Sequence, residues 1–222
     1  MKLKYSFAGL VLLSTAFAYA NTAYQAQSGF YLTADGGYGT LTTPDATLNT
    51  STGSYDRTGL VWSAGAGYAW AMDSYTLLGL EADYLDNGQS AYTGNGSGNG
   101  NLNISSNAFA IAGMFNSAWS NGFNVFAKAG VADVQQVGRF TQATTVNGYT
   151  RWGNSFGTSF QFLGVLGAGY YLTNSINLFL DYTYLSGNGR TNWDFIDASG
   201  AGKSNSDTAA ASQFKLGLSY AF

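Results

Sequence analysis

The last ten residues, 213–222, read Gln-Phe-Lys-Leu-Gly-Leu-Ser-Tyr-Ala-Phe. Every second position, from Phe214 to Phe222, carries a bulky apolar or aromatic side chain, and the positions between them carry small or polar ones. Side chains alternate between the two faces of a β-strand, whereas helical spacing would scatter these apolar residues around the whole cylinder. The stretch therefore predicts a strand with one bulky face and one small or polar face.

The same period of two recurs along the chain. In each case aliphatic and aromatic residues alternate with Gly, Ala, Ser, Thr and a few charged residues, although the fourth stretch is noisier than the others. The predicted strands cover residues 30–38, 60–70, 77–84, 108–115, 123–132, 159–170, 176–184 and 213–222. Eight such strands predict an all-β fold.

The connections between these strands alternate in length. Three are short and have hairpin-turn compositions, at residues 73–74, 120–122 and 173–175. The other four are long and rich in Gly, Asn, Ser and Thr, at residues 40–57, 86–103, 136–155 and 186–211. Asn147-Gly148 is a hairpin signal, which predicts that its flanking strands continue beyond the membrane before they turn. Short turns at one end and long loops at the other are typical of an outer-membrane barrel.

The second face of the strands favours a membrane over water as the surroundings. Charged residues make up only 9% of the chain, whereas a soluble domain carries about a quarter. A soluble barrel of the lipocalin type has the same alternation, but its outer face must be charged or strongly polar. Here that face is mostly Gly, Ala, Ser and Thr, which suit a cramped interior. The sequence therefore predicts an eight-stranded antiparallel up-and-down transmembrane β-barrel whose bulky side chains face lipid.

Aromatic residues near the strand ends support this interpretation. Aromatic side chains are enriched at both interfaces of a membrane barrel, where they form two girdles. The candidates are Tyr38, Trp70, Tyr84, Trp119, Phe123, Tyr170, Tyr184, Tyr220 and Phe222. Together they favour a lipid-facing band, and we expect outer-membrane lipid to be the partner of this surface.

Residues 1–20 have the layout of a signal peptide. Lys2 and Lys4 precede an apolar stretch from Phe7 to Phe17, and Ala18-Tyr19-Ala20 fits a small-x-small cleavage site. The apolar stretch is shorter than the roughly 20 residues that a membrane-spanning helix needs. We expect cleavage after Ala20, a barrel domain over residues 21–222 and export to the bacterial outer membrane.

Ionised side chains on the small face form a predicted cluster in the lumen. They are Asp35, Glu81, Asp83, Lys128, Asp181 and Lys215. Buried ions are costly unless they are paired and hydrogen-bonded, so the two lysines should lie among the four carboxylates. The cluster is interpreted as a salt-bridge plug that fixes register and fills the lumen. Two alternatives remain open, a gate for a narrow ion path and a proton relay or acid pair formed by Glu81 and Asp83.

The composition excludes several classes of chemistry. The chain has no cysteine and no histidine, which removes disulfides, thiolate and imidazole metal ligands, and nucleophiles paired with histidine. A sequence pI near 4.6 argues against nucleic acid as a partner, because no basic patch is available for phosphates. We predict no catalytic residue, no cofactor and no metal site.

Several stretches resemble the membrane domain of the OmpA-like family of small outer-membrane barrels. They read Gly-Leu-Glu-Ala-Asp-Tyr at 79–84, Phe-Ala-Lys-Ala-Gly at 126–130, Gly-Ala-Gly-Tyr-Tyr-Leu-Thr-Asn-Ser-Ile-Asn-Leu-Phe-Leu-Asp-Tyr-Thr-Tyr at 167–184 and Lys-Leu-Gly-Leu-Ser-Tyr-Ala-Phe at 215–222. The resemblance implies that the barrel assembly machinery reads the final strand through Tyr220 and Phe222. It also places the family's interior ion cluster on Glu81 and Lys128, with Asp181 and Lys215.

One departure from that family limits what the resemblance implies. OmpA itself adds a soluble peptidoglycan-binding domain after its barrel, whereas this sequence stops at Phe222. Tethering to the cell wall is therefore not expected.

Two functions from different classes are compatible with the sequence. The first is a non-catalytic barrel that presents long extracellular loops for a structural, adhesive or surface-interaction role, with a host or cell-surface ligand as partner. The loops contain aromatic and arginine residues that suit a contact surface or, equally, packing at the barrel rim: Tyr55, Tyr92, Phe140, Tyr149, Trp152, Trp193 and Phe195, with Arg57, Arg139, Arg151 and Arg190. The second is a narrow channel of the small-porin type for ions or small solutes.

Overall fold

A computed structural model describes residues 24–42, 54–56, 58–93, 102–146, 149–187 and 209–222. The strands in chain order are β1 (Gly29–Thr42), β2 (Ser54–Asp56), β3 (Thr58–Ala71), β4 (Thr76–Thr93), β5 (Leu102–Ala118), β6 (Phe123–Val146), β7 (Tyr149–Tyr171), β8 (Ile176–Leu185) and β9 (Ala210–Ala221). In this part of the chain no helix has the length and apolar character needed to cross a bilayer. The expected signal peptide, residues 1–20, lies outside the described residues.

The strands form one closed antiparallel sheet. Each long strand pairs with its neighbours in sequence, β1 pairs with β9, and the additional pairing of β4 with β5 completes the circle. The short strand β2 pairs with the end of β4, on the same side of β4 as β3. β2 and β3 therefore occupy one strand position, and the barrel has eight strands around its circumference. Closure leaves no open edge at membrane depth, as a medium without water requires. The predicted eight-stranded up-and-down barrel is confirmed.

The alternation of β9 has the predicted direction. Phe214, Leu216 and Leu218 are 71%, 54% and 51% exposed on the outer face, whereas Gln213 and Lys215 are 1% and 4% exposed in the lumen. The other long strands repeat this pattern of exposed bulky residues and buried alternate residues. The bulky side chains therefore point out of the barrel, and they form a lipid-facing band.

Aromatic side chains mark both edges of this band. At the end that carries the short turns, Tyr220 and Phe222 pack edge to face with their ring centroids 5.1 Å apart. At the opposite end, the rings of Trp62 and Tyr84 lie 5.5 Å apart on β3 and β4. The exposed bulky residues of the last strand extend over nine positions, from Phe214 to Phe222, which matches the roughly 9–11 residues that a tilted transmembrane strand needs. The aromatic residues therefore lie where interfacial girdles belong.

The three short turns are confirmed at residues 72–75, 119–122 and 172–175, and they share one end of the barrel, here called the turn end. Two of the four long connections are largely strand, which corrects the predicted loops at 86–103 and 136–155. β4 continues to Thr93, and β6 and β7 continue to Val146 and Tyr149 around Asn147-Gly148, as the hairpin signal predicted. The strands continue because two polar chains in water still satisfy their backbone groups by pairing with each other. The opposite end is called the loop end.

The lumen contains more large apolar side chains than a filling of small and ionised residues would suggest. Leu41, Leu85, Leu163 and Leu185 are at most 2% exposed, and Phe126 and Phe179 are also buried. A close-packed interior needs this volume, because Gly, Ala and Ser alone would leave voids. Inward glycines make room for the larger groups. A Cβ on Gly67 would lie 2.6 Å from the Tyr31 ring, which crosses Gly67 to reach β4.

Candidate functional site

All six ionised residues predicted for the lumen point inward from the barrel wall, and the structure brings the two lysines close to three of the carboxylates. The Lys128 Nζ atom lies 2.5 Å from Glu81 Oε1. The Lys215 Nζ atom lies 3.0 Å from Asp35 Oδ1 and 3.8 Å from Asp181 Oδ1. The Lys128–Glu81 pair therefore reaches across β5 to join β6 to β4, whereas Lys215 joins β9 to its two neighbouring strands, β1 and β8.

Hydroxyl groups complete the coordination of these ions. Ser63 Oγ donates to Asp35 and accepts from Lys215 Nζ, at 2.5 and 2.8 Å. Thr183 Oγ1 donates to Asp181 at 2.9 Å, and the Tyr31 hydroxyl donates to Glu81 Oε2 at 2.7 Å. Buried carboxylates are tolerated when such donors replace water. Four carboxyl groups face two ammonium groups here, so these neutral donors satisfy acceptors that the lysines do not reach.

Asp83, the sixth member of the predicted cluster, lies next to Glu81 on the inward face of β4. It is 7% exposed and its carboxyl group is hydrogen-bonded to that of Glu81. Asp83 also lies against Gly65, where a Cβ would collide with its Oδ1 atom. Glu81 and Asp83 are therefore in contact, but both carboxyl groups are enclosed by the barrel wall and the rest of the cluster.

An apolar layer lies between the ion cluster and the loop end. Its main members, Leu41, Leu85, Val134, Leu163 and Leu185, belong to one contiguous cluster of buried residues. They come from β1, β4, β6, β7 and β8, so side chains from most of the circumference meet inside the lumen. Ions avoid such a layer because no group in it can replace their hydration shell.

The sequence analysis did not identify a polar network that lies among these apolar side chains and extends toward the loop end. Gln213 Nε2 donates to Asn87 Oδ1 at 2.6 Å, and Asn87 Nδ2 donates to Ser106 Oγ at 3.1 Å. Gln136 Nε2 donates to the Ala209 carbonyl at 3.2 Å and its Oε1 accepts from the Ala209 N–H at 3.0 Å. Asn87 and Gln136 fell in predicted loops, so their inward direction was overlooked. Continued alternation past Asp86 was the signal that could have found them.

The loop residues proposed as a contact surface are only partly described. Arg139 lies exposed on β6, where it pairs with Asn103 of β5. Backbone pairing is described for Tyr55, Tyr92, Phe140, Tyr149 and Arg151, and Trp152 lies at an irregularity within β7, but the side chains of all six are outside the described set. Arg57, Arg190, Trp193 and Phe195 lie outside the described residues altogether.

Closure of the sheet, the exposed apolar band and the inward ion cluster define an outer-membrane β-barrel protein. The family model for the outer membrane protein beta-barrel domain matches residues 9–222. The chain belongs to this family and is a protein of the bacterial outer membrane, with lipid around its barrel. In barrels of this class the short turns are periplasmic and the longer loops extracellular.

Three solved barrels illustrate the comparison. Neisserial surface protein A is 11% identical with a TM-score of 0.49, and the match covers 89% of this chain and 100% of that one. The attachment invasion locus protein Ail of Yersinia pestis is 10% identical with a TM-score of 0.49, and the match covers 88% of this chain and 100% of Ail. OprG of Pseudomonas aeruginosa is 13% identical with a TM-score of 0.43, and the match covers 90% of this chain and 99% of OprG. A comparison with curated protein sequences returned no match.

Proposed function

We propose that this protein is a non-catalytic display scaffold of the outer membrane, a closed barrel that presents its extracellular strands and loops at the cell surface. The observation that carries the proposal is the filled lumen. Ion pairs, buried apolar side chains and a hydrogen-bonded polar network together fill the described part of the lumen. A barrel built to conduct would instead keep a polar, water-filled interior.

In this proposal the ion cluster is structural. Its two lysines tie β6 to β4, and β9 to β1 and β8, so they favour one register of the closed sheet. Breaking a buried ion pair costs several kcal/mol because it leaves an uncompensated charge. A slipped register would separate these partners, which disfavours it.

The displayed element is the hairpin of β6 and β7. Phe160, which is 80% exposed and paired with Asp133 of β6, is the last strongly exposed apolar residue described on the lipid-facing side of these strands. β6 continues beyond Asp133 for 13 residues, 134–146. At about 3.3 Å per residue this corresponds to up to ~40 Å of strand, far more than anchoring in lipid requires. Arg139, together with the arginine and aromatic residues further along the hairpin, supplies groups suited to a host or cell-surface ligand.

Absence of catalysis is part of the proposal. The sequence has no histidine and no cysteine, and the contacting carboxyl groups of Glu81 and Asp83 are buried at 2% and 7% exposure. A general acid or base must reach the proton it transfers, and these groups face a packed lumen rather than a cleft. Purified protein should therefore release no fatty acid from phospholipid vesicles.

Tyr220 and Phe222 are proposed as the signal for the barrel assembly machinery. Both lie exposed on the lipid face at the end of β9, at 48% and 74%. The matched test compares Phe222→Ala with Phe214→Ala, which removes an equally exposed ring from the other end of the same face. Slower insertion of only the Phe222 variant by the purified machinery supports the role, whereas equal rates contradict it.

Conductance and surface accessibility test the display function together. Refolded protein should produce no discrete current steps in a planar bilayer. Trypsin added to intact cells should cleave after Arg139 or Arg151 in the hairpin, while Lys128 and Lys215 in the lumen should stay uncut. Steps that change on Lys128→Gln would favour the narrow channel instead. Cleavage only after the outer membrane has been permeabilised would contradict display of the hairpin.

A further inference from the structure

The segment before β1 crosses the turn end of the barrel. This strap, residues 24–28, is fastened at three separate points. The Tyr24 N–H donates to the Ser120 carbonyl at 3.2 Å, and the Ala26 N–H donates to the Ser74 carbonyl at 2.9 Å. The Ser28 hydroxyl accepts from the Ala71 N–H at 2.8 Å. The strap thus joins two of the short turns and covers the opening between them.

Tyr24 closes the opening with its ring. It is 3% exposed, and it stacks on Tyr171 with ring centroids 3.9 Å apart and an angle of 20° between the planes. Tyr171 is held from above by Asn116, whose Nδ2 donates to the Tyr171 hydroxyl at 3.1 Å. An aromatic pair at this distance contributes stabilisation beyond its buried area. The two rings therefore form a floor across the lumen.

A cavity of about 60 Å³ lies above Tyr171 and is partly open toward the turn end, where the exposed Gln27 of the strap also lines it. Its lining is mixed, with Gln27, Ala69, Met114, Asn116, Lys128 and Ser219 among the residues around it. The Oδ1 atom of Asn116 is buried there without a hydrogen-bond partner from the described residues. One water needs about 10–15 Å³ of such volume and two or more polar partners. The cavity is therefore large enough to hold several waters, with Asn116, Lys128 and Ser219 as polar partners in a largely apolar wall.

The ceiling of the cavity is the site already described. Glu81 and Lys128 both line the cavity and pair with each other, and the apolar layer of Leu85, Val134 and Leu163 lies on the far side. The cavity is thus bounded by ion pairs above and by the strap below. Only the lower boundary can move without disturbing the sheet.

We propose that the strap is a lid that restricts access from the periplasm to this small chamber and opens it fully when the lid is displaced. Each strand of the wall is held by a ladder of paired residues on both sides, whereas the strap is held by isolated bonds and one ring stack. Segments with few backbone bonds open locally at far lower free energy than the sheet. The chamber then admits water and small polar solutes from the turn end, while the apolar layer still blocks the route to the loop end.

The test uses single cysteines, because the chain has none of its own. Ala69→Cys and Ser219→Cys place a thiol on the chamber wall. Asn174→Cys in an exposed turn reports full access, and Ser106→Cys reports access beyond the apolar layer. Each is made with Tyr24 intact, with Tyr24→Ala, which removes the ring, and with Tyr24→Phe, which keeps it. Labelling by a small water-soluble methanethiosulfonate is followed by mass spectrometry in detergent micelles.

Both chamber thiols should react slowly when residue 24 is Tyr or Phe, and roughly tenfold or more faster with Tyr24→Ala. The rates at Asn174→Cys and Ser106→Cys should not change. Equal chamber rates with and without the ring would overturn the lid, as would faster labelling of Ser106→Cys along with the chamber. If one chamber variant fails to fold, the other carries the comparison. The outcome is independent of whether the hairpin binds a surface ligand.

Discussion

Replacement of Lys215 by methionine tests the structural role of the ion cluster. Lys215 is 4% exposed, and its Nζ atom lies 3.0 Å from Asp35, 3.8 Å from Asp181 and 2.8 Å from Ser63. Methionine fills similar volume without charge, so it leaves two buried carboxylates and no cation between them. Breaking a buried ion pair in this way costs about 3–5 kcal/mol. We expect the free energy of unfolding of Lys215→Met to fall by about that amount.

The assay is equilibrium unfolding by urea in phospholipid vesicles, followed by tryptophan fluorescence. Adding Asp35→Asn and Asp181→Asn to Lys215→Met removes the uncompensated charges, so the triple variant should recover most of the lost stability. Arg139→Met removes an exposed charge and serves as the control, with an expected change within about 0.5 kcal/mol. A loss below about 1 kcal/mol for Lys215→Met, or no recovery in the triple variant, would refute the reasoning.

Three further predictions follow from the same architecture. Leu216→Arg places a charge in the middle of the lipid band and should cost about 2–4 kcal/mol in the same assay, against about 0–1 for Phe222→Arg at the interface; equal costs would contradict the band. Gly67→Ala should cost about 1–3 kcal/mol by overpacking, since its methyl group meets both the Leu80 carbonyl and the Tyr31 ring. Tyr31→Ala should remove only the part of this penalty that comes from the ring in a double-mutant cycle, and strictly additive costs would argue against the Tyr31 contact. Burial raises the pKa of Tyr24 above its usual range, so the closed lid favours the neutral phenol, and the stability of the closed lid falls as pH rises above the ordinary tyrosine pKa of about 10. Above that pH the cysteines in the chamber should react faster than the larger thiolate fraction alone explains. A labelling rate that follows only thiolate formation would contradict this.

The direction of the side chains could be predicted because a strand has a period of exactly two residues. Phe214, Leu216 and Leu218 point to one face in any strand, and the sparse charge of the other face indicates that this bulky face meets lipid. The strand ends at the loop side could not be predicted in the same way. Beyond Asp86 both faces are largely polar, and beyond Asp133 the pair Gln135-Gln136 puts a polar residue on each face, so strand and loop have similar compositions, and Asn87 and Gln136 were placed in loops.

The members of the ion cluster could be predicted, but their pairing could not. Inward direction identifies Lys128 and Lys215 from sequence, whereas the partner of each depends on how the closed sheet staggers its strands. Lys215 lies across from Asp181 on the neighbouring strand, yet it is nearer to Asp35 on the other side. Tyr24 gave no signal at all, because a single aromatic residue close to an expected cleavage site carries no periodicity.

Collision accessibility of nitroxide labels along β9 tests the orientation of the barrel wall most directly. Single labels at positions 212 to 219 are reconstituted in vesicles, and relaxation by oxygen, which concentrates in lipid, is compared with relaxation by a water-soluble nickel complex. Labels at 214, 216 and 218 should be oxygen-accessible, and labels at 213, 215, 217 and 219 should be protected from it, with a period of two. High oxygen access at the odd positions, or no alternation, would contradict a barrel with bulky residues outside and ions within.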